Sequence, residues 1–402
     1  MSDSSPALHL INVKKEIASS YPDFEERVTQ GWADILVELK KATQTISAGG
    51  PEFIPQVQFS ELNSLPADKI EEIRRKGCLV IKDVVDDAQA IHWRKSLEAF
   101  VSANPDADGF PEGNKQFFDL YWTKSQKLDG VDLSSPLTYA DRFRIRHPWA
   151  RPEQKKGGTL ERWEDPTFRS CFADILSGQW RKHDPFLLAG RVGAQTSLCH
   201  RPEQSSIFRS FQGWLAMSET APTEGTLKVF PDVLLSNAYL ILRPFFRSLV
   251  APDSPDIWNP KSWAFDISSA DFPGIYPRHG GWYGPQPTPE LHPNLLLEET
   301  MTSVPKVCPG DTVFWHGDLI HSVEKDHTGN CDSAVMYIPA VPTTPINQAY
   351  VERQKENFLK AVAPPDFPVQ TKHENSMVGF GKADDILNPL GRKAMGLPVS
   401  VA

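Results

Sequence analysis

From about residue 105 onward the chain consists of short apolar runs cut apart by proline and glycine, and this texture limits the fold more than any other feature. The clearest runs are 208–217, 226–231, 312–315 and 334–339, separated by turn chemistry such as Thr223-Glu224-Gly225 and Pro309-Gly310-Asp311. Runs this short, bounded by turn residues, read as antiparallel strands. The two runs around Thr223-Glu224-Gly225 are expected to pair as a hairpin. The first third differs. Trp32, Ile35, Leu36, Leu39 and Ile46 recur at helical spacing until Gly49-Gly50-Pro51 stops them. A second helix is predicted over 67–76, with Gly77 in the left-handed closing position. A buried strand follows at 78–81. Asp86 then caps a helix whose Trp93, Leu97, Phe100 and Val101 form one stripe.

The expected fold is mainly β with added α: one antiparallel β core with helices packed outside it. Residues 1–25 read as a loose N-terminus and 26–110 as the helical part. The β core spans 137–340 and holds one helix near 235–242, broken at Pro244. A Pro/Gly-rich insertion at 252–293 reads as a wall over a pocket. A C-terminal helix is expected at 346–362, the single domain closes near 396, and 397–402 is tail. With 35 Pro, 11 Trp and 22 Phe, the loops are expected to wrap an aromatic-rich interior.

Charge narrows the function classes. Forty-two Lys plus Arg against fifty-one Asp plus Glu gives −9, with no basic block, so a nucleic-acid groove is disfavoured. No apolar run approaches the roughly 20 residues of a bilayer span. Without a basic and apolar leader at the N-terminus, the chain is expected to be cytoplasmic. Its five Cys show no CxxC pattern and read as reduced thiols.

The sharpest local signal is Pro309-Gly310-Asp311 launching an apolar strand toward His316, Asp318 and His321. If the strand runs through, His316 and Asp318 share a face. Imidazole plus carboxylate suits a metal or proton transfer, and equally a satisfied pair at a strand end. The second signal is 208–217. Alternation there sets Arg209 with Phe211, and Gln212 with Trp214. An inward Arg209 could hold a carboxylate bidentately or belong to an internal ion pair. Arg142, Arg144 and Arg146 alternate on one face near Tyr139, which points to an anionic group nearby. His279 and His292 in the insertion, and His200 with Glu203, are weaker candidates.

Long blocks of the chain resemble a family catalogued as domain of unknown function 1479, within the wider group of phytanoyl-CoA hydroxylase-like Fe(II)/2-oxoglutarate oxygenases. The matching stretches include Gly77-Cys78-Leu79-Val80-Ile81, the block from Gly157 through Glu161-Arg162-Trp163 to Pro166, 208–214, 225–231, 310–321 and 391–396. The resemblance implies a double-stranded β-helix (jelly-roll) core flanked by N-terminal and C-terminal helices. It also implies iron on an HxD or HxE pair plus a distal His, with positions left open for 2-oxoglutarate and O₂. The distal ligand corresponds to His321. The places of the HxD pair read Gln154 and Lys156, an amide and an ammonium. A cation there opposes a divalent ion by roughly 4 kcal/mol at about 4 Å in a surface-like dielectric, before any lost ligand bond is counted. A substitute set of His321 with His316 or Asp318 looks awkward if all three lie on one strand.

Three readings follow. In the first, no cofactor is used, and the scaffold folds an apolar small molecule such as a terpenoid or polyketide into one reactive conformer. This gives a cyclase, isomerase or pericyclase of Diels-Alder type in secondary metabolism. Catalysis then falls to Arg209, Lys156, His316, Asp318 and His321. The lining falls to Tyr139, Arg144, Arg146, Gln154, Phe211, Gln212, Trp214, Trp315 and Tyr337. In the second the chain remains an Fe(II)/2-oxoglutarate oxygenase, anchoring 2-oxoglutarate on Arg209. In the third it is an inactive ligand- or partner-binding relative.

Overall fold

The computed structural model describes residues 6–110, 115–118, 136–148, 155, 160–192, 194, 205–275, 277–278, 281–282 and 286–399. Four helices dominate the first hundred residues: α1 (Pro6–Ser20), α2 (Phe24–Gly49), α3 (Ala67–Lys76) and α4 (Asp87–Ala103). Short helices follow at α5 (Glu161–Glu164), α6 (Pro166–Arg169) and α7 (Ala173–Leu176). The rest are α8 (Val233–Leu242), α9 (Leu297–Thr300), α10 (Pro345–Lys360) and α11 (Pro389–Ala394). The local signals behave as chemistry predicts. Gly77 closes α3 at φ +70° with its N–H on the Ile73 carbonyl, and Asp86 accepts from Gln89 N–H at the start of α4.

An eight-stranded sheet runs in the order β1 (Gln56–Gln58), β2 (Cys78–Lys82), β13 (Thr312–His316), β6 (Phe211–Ala216), β15 (Ser333–Tyr337), β5 (Phe143–Arg146), β4 (Phe117–Phe118) and β3 (Gly109–Phe110). Only β1–β2 pair in parallel within it. A second sheet holds β12 (Thr302–Ser303), β7 (Leu227–Val229) and β14 (His321–Val323). Two ribbons, β8 (Phe246–Ser248) with β9 (Trp263–Phe265) and β10 (Pro277–Arg278) with β11 (Gly281–Trp282), lie apart from both. One apolar cluster draws Val80, Trp214, Val313, Trp315 and Val335 from the large sheet and Leu227 and Val229 from the small one. The two sheets therefore share a core. A separate cluster, with Leu215, Phe143 and Met336, buries the other face of the large sheet under α4.

Four expectations change. The described residues are 44% helical and 15% strand, so the chain is a mixture of helix and sheet and not mainly β. Within the segment expected to be loose, 6–20 is helical: Leu10, Val13 and Ile17 give α1 an apolar stripe that packs into the core of α2 and α8. The expected hairpin does not form. β6 pairs with β13 and β15, whereas β7 pairs with β12 and β14. The intervening turn lifts the chain from one sheet to the other. Glu324 accepts from the N–H groups of Thr223, Gly225 and Thr226, and Arg146 binds the Gly225 carbonyl. Gly225 sits at φ +77°, where an added Cβ would meet Arg146 Nη1 at 2.7 Å. Finally, the 252–293 segment sends Ile257, Trp263, Phe272 and Ile275 into the helical core, where Trp32 stacks on Phe246 at 4.7 Å. None of its described residues lines the cavity described next.

Candidate functional site

β13 ends at His316, and a turn closed by Leu319 N–H on the His316 carbonyl carries the chain to β14 in the other sheet. His316 and Asp318 thus meet through a corner and not through strand alternation, and His321 lies on a different strand. This corrects the expectation that the three share one strand. The Asp318 backbone N–H donates to His316 Nδ1 at 3.1 Å, which leaves Nε2 as the protonated nitrogen of the neutral ring. Burial lowers the His316 pKa to about 4, against the pull of Asp318 in the other direction.

Asp318 is the charge centre of this corner. Arg162, on α5, donates from Nη2 to Oδ1 at 2.8 Å, and Arg191 donates from Nη2 to Oδ2 at 2.6 Å. Asn237, on α8, adds its Nδ2 at 3.2 Å and also reaches His183 Nε2 at 3.3 Å. Burial opposes the ionised carboxylate, but the two guanidinium groups outweigh it and hold Asp318 well below the usual carboxylate range. The two arginines bind end-on, one nitrogen each. Buried Nε and Nη1 of Arg162 and buried Nε of Arg191 have no hydrogen-bond partner among the described residues.

Asp318, Arg162 and Arg191 floor a cavity of about 170 Å³. Its rim is formed by Ser206, Phe208, Arg209, Gln212 and Ile346. Alternation predicted Arg209 and Gln212 on opposite faces. Residues 205–210 precede β6, so the pleat does not reach them, and both line the cavity. Arg209 is half-buried, 5.8 Å from the Tyr139 ring, with no carboxylate partner among the described residues.

The iron expected from the resemblance needs a facial triad, and the described donors do not fit one. Both Asp318 oxygens face guanidinium nitrogens, and His316 Nδ1 already accepts an N–H. His321 Nδ1 donates to the Leu319 carbonyl at 2.9 Å. Among the described residues, no group of three or more His, Cys, Asp or Glu is disposed to hold a metal ion. Gln154, Lys156, His200, Glu203 and His279 lie outside the described residues.

A family model described as Gig2-like matches residues 7–128 and 126–397. The chain belongs to the Gig2-like family. The crystal structure of GlcNAc Inducible Gene 2 (DUF1479) from Candida albicans superposes with a TM-score of 0.81 at 29% identity, covering 97% of this chain and 89% of that one. The Escherichia coli (strain K12) protein YbiU is 28% identical over 443 residues, 99% of each chain. A Salmonella typhimurium LT2 chain named provisionally as an oxidoreductase superposes with a TM-score of 0.76 at 26% identity, covering 99% of both chains. The resemblance stated from the sequence blocks therefore holds over the whole Gig2-like chain.

The other candidates lie elsewhere in this Gig2-like fold. Trp214 and Trp315 are buried between the sheets. Tyr139 donates to Asp366 at 3.2 Å and packs on Tyr350. Arg144 lies 5.9 Å from the Phe117 ring, which stacks on Phe110 and Tyr337. Arg146 donates to the carbonyls of Gly225 and Lys325. Phe211 contacts Phe186 and Phe314. His292 is buried with Nε2 on the Pro273 carbonyl. Cys78, Cys171, Cys308 and Cys331 are free thiols. No helix among the described residues is long and apolar enough to cross a membrane.

Arg162 and Arg191 escaped the sequence reading. The available signal was Glu161-Arg162 enclosed by Leu160 and Trp163, charges inside an apolar block, which needs a buried partner.

Proposed function

We propose that this chain is an enzyme working without a redox metal, which binds a small molecule in the cavity above Asp318 and guides it through a non-oxidative cyclisation, isomerisation or pericyclic step. The reading takes the two sheets sharing one core as an oxygenase-type double-stranded β-helix whose iron ligands have been replaced. The observation that carries it is the donor set at Asp318, whose carboxylate is engaged by Arg162 and Arg191; the resemblance adds that Gln154 and Lys156 take the places of the HxD pair.

The chemistry within reach is conformational and electrostatic. Phe168, Ile207, Phe208 and Ile346 offer apolar contact that selects one folded conformer, and Arg209 and Gln212 orient it. Fixed donors facing developing negative charge are worth about 3 kcal/mol each when water is excluded. A cavity this small favours a compact substrate, or the end of a longer terpenoid or polyketide.

The test is turnover of candidate small metabolites under anaerobic conditions with EDTA. Persistent conversion supports the reading. Stoichiometric iron after purification with Fe(II), together with substrate-dependent succinate release, overturns it in favour of the Fe(II)/2-oxoglutarate oxygenase. That alternative draws on His321, whose Nδ1 is fixed by a backbone carbonyl in the manner that orients a ligating imidazole.

A further inference from the structure

We infer that this cavity is an oxyanion subsite, where a carboxylate or phosphate head of the substrate is held by the positive charge of Arg162, Arg191 and Arg209, which Asp318 only partly cancels. The inference rests on the cavity being the substrate site and deepens that reading by naming the substrate's chemical class.

Charge counting comes first. Arg162 and Arg191 bring two positive charges to a floor that holds one carboxylate, Asp318, and their side chains are only 1% and 8% exposed. Each spends one nitrogen on Asp318. The unpartnered Nε and Nη1 of Arg162 and Nε of Arg191 are sealed from solvent, so they contribute positive potential to the cavity and do not themselves touch a ligand. Arg209 adds a third guanidinium at the rim, and Gln212 adds an amide.

Geometry and size agree. Arg209, half-buried at the rim and without a carboxylate partner among the described residues, offers the N–H edge that carboxylates and phosphates grip. At roughly 30 Å³ per water, the 170 Å³ space holds about six waters, enough for an oxyanion and a short stem. Asp318 has a defined part in this arrangement. It holds the two guanidinium groups together and cancels half their charge, so that a monoanionic head completes the neutralisation. The apolar wall at Phe168, Ile207 and Phe208 then receives the rest of the molecule.

The experiment uses the full chain with succinate, inorganic phosphate and neutral succinamide as probes, at fixed ionic strength, read by calorimetry and thermal shift. Succinate or phosphate is expected to bind and raise the melting temperature, and succinamide is not. A stronger response to succinate assigns a carboxylate head, and a stronger response to phosphate a phosphoryl head. Arg209→Gln should weaken binding about tenfold, and Arg191→Gln should weaken it further. If Arg191→Gln fails to fold, the half-buried Arg209 variant decides. The inference fails if neither anion exceeds chloride at equal ionic strength, or if both folded variants bind like the parent. Such a failure leaves metal-free turnover standing. Iron-dependent succinate release, conversely, would remove the non-oxidative reading without touching anion binding.

Discussion

Two arginine clusters sit at opposite ends of the β core and differ in what they bind. On β5, Arg146 donates to two backbone carbonyls, Gly225 and Lys325, and so ties the loops that join the sheets. At the β13–β14 corner, Arg162 and Arg191 converge on one carboxylate at the wall of a cavity, and some of their buried N–H atoms have no partner among the described residues. Both clusters are buried, and both carry guanidinium groups. The first is a strut, since carbonyl acceptors are part of the fold. The second has a surplus of positive charge, which a ligand can relieve. Burial of an arginine is therefore weak evidence of a site until its acceptors are identified.

The contrast is sharpest at Asp318. Asp318→Asn would leave two buried guanidinium groups without their counter-charge, and a loss of about 3–5 kcal/mol in unfolding free energy is expected by urea denaturation. A cost under 1 kcal/mol would mean that water already screens the corner. Arg146→Met should cost less, about 1–3 kcal/mol, because it leaves the neutral carbonyls of Gly225 and Lys325 without a donor. If it instead costs more than Asp318→Asn, the strut and the site have been assigned the wrong way round.

How much of this was legible in the sequence follows from the range of each interaction. The helix stops at Gly77 and the cap at Asp86 depend on neighbours within four residues, and both were readable. The strands β13 and β15 announced themselves by apolar runs. Pairing was not readable: a Gly turn between two strands looks like a hairpin whether the strands stay in one sheet or part between two. That choice was made by Glu324 and Arg146, about a hundred and eighty residues distant at the extremes, which hold the turn's N–H and C=O groups. The N-terminal helix was missed because its stripe of Leu10, Val13 and Ile17 is thin and its other faces are polar. At the candidate site, Asp318, His316 and Arg209 were identified by residue type, but their relation required knowing that β13 stops at His316. Arg162 and Arg191 reach Asp318 across 156 and 127 residues, and no local pattern encodes such a meeting.

Acid tests the charged corner against the helical half. Burial, reinforced by Arg243, lowers the His292 pKa to about 3, opposed by the Pro273 carbonyl, with the Tyr239 ring 5.8 Å away. Its folded value lies below the unfolded 6.5, so the unfolded chain binds the extra proton between those limits. Stability should therefore fall as pH drops from about 6.5 toward 3, by at most about 1.4 kcal/mol per pH unit for this group. Asp318 behaves differently. Its folded pKa is depressed, so its contribution is fully present above the ordinary carboxylate value and is lost only below it. Urea midpoints at pH 7 and pH 5 should separate the two, with His292→Gln flattening the slope and any Asp318 effect absent from that window. An unchanged slope in His292→Gln would place the acid sensitivity in the other buried imidazoles, His183 and His316, both lowered to about 4 chiefly by burial.

The smallest stability effect belongs to a residue with a clear expected effect on binding. Arg209 is half-buried at the cavity rim, has no carboxylate partner among the described residues, and meets Tyr139 only as a ring neighbour at 5.8 Å. Removing its charge strands no buried group, so Arg209→Gln should stay within about 0.5 kcal/mol of the parent in unfolding free energy. If the cavity floor and rim act together on an anionic head, the same substitution should still cost about tenfold in succinate or phosphate affinity. Stability and binding thus separate along the line from Asp318 to Arg209: the floor residue is costly to fold without, and the rim residue is costly only to bind without. A variant that loses both together would mean that Arg209 is a strut like Arg146, and would dissolve the distinction between the two arginine clusters.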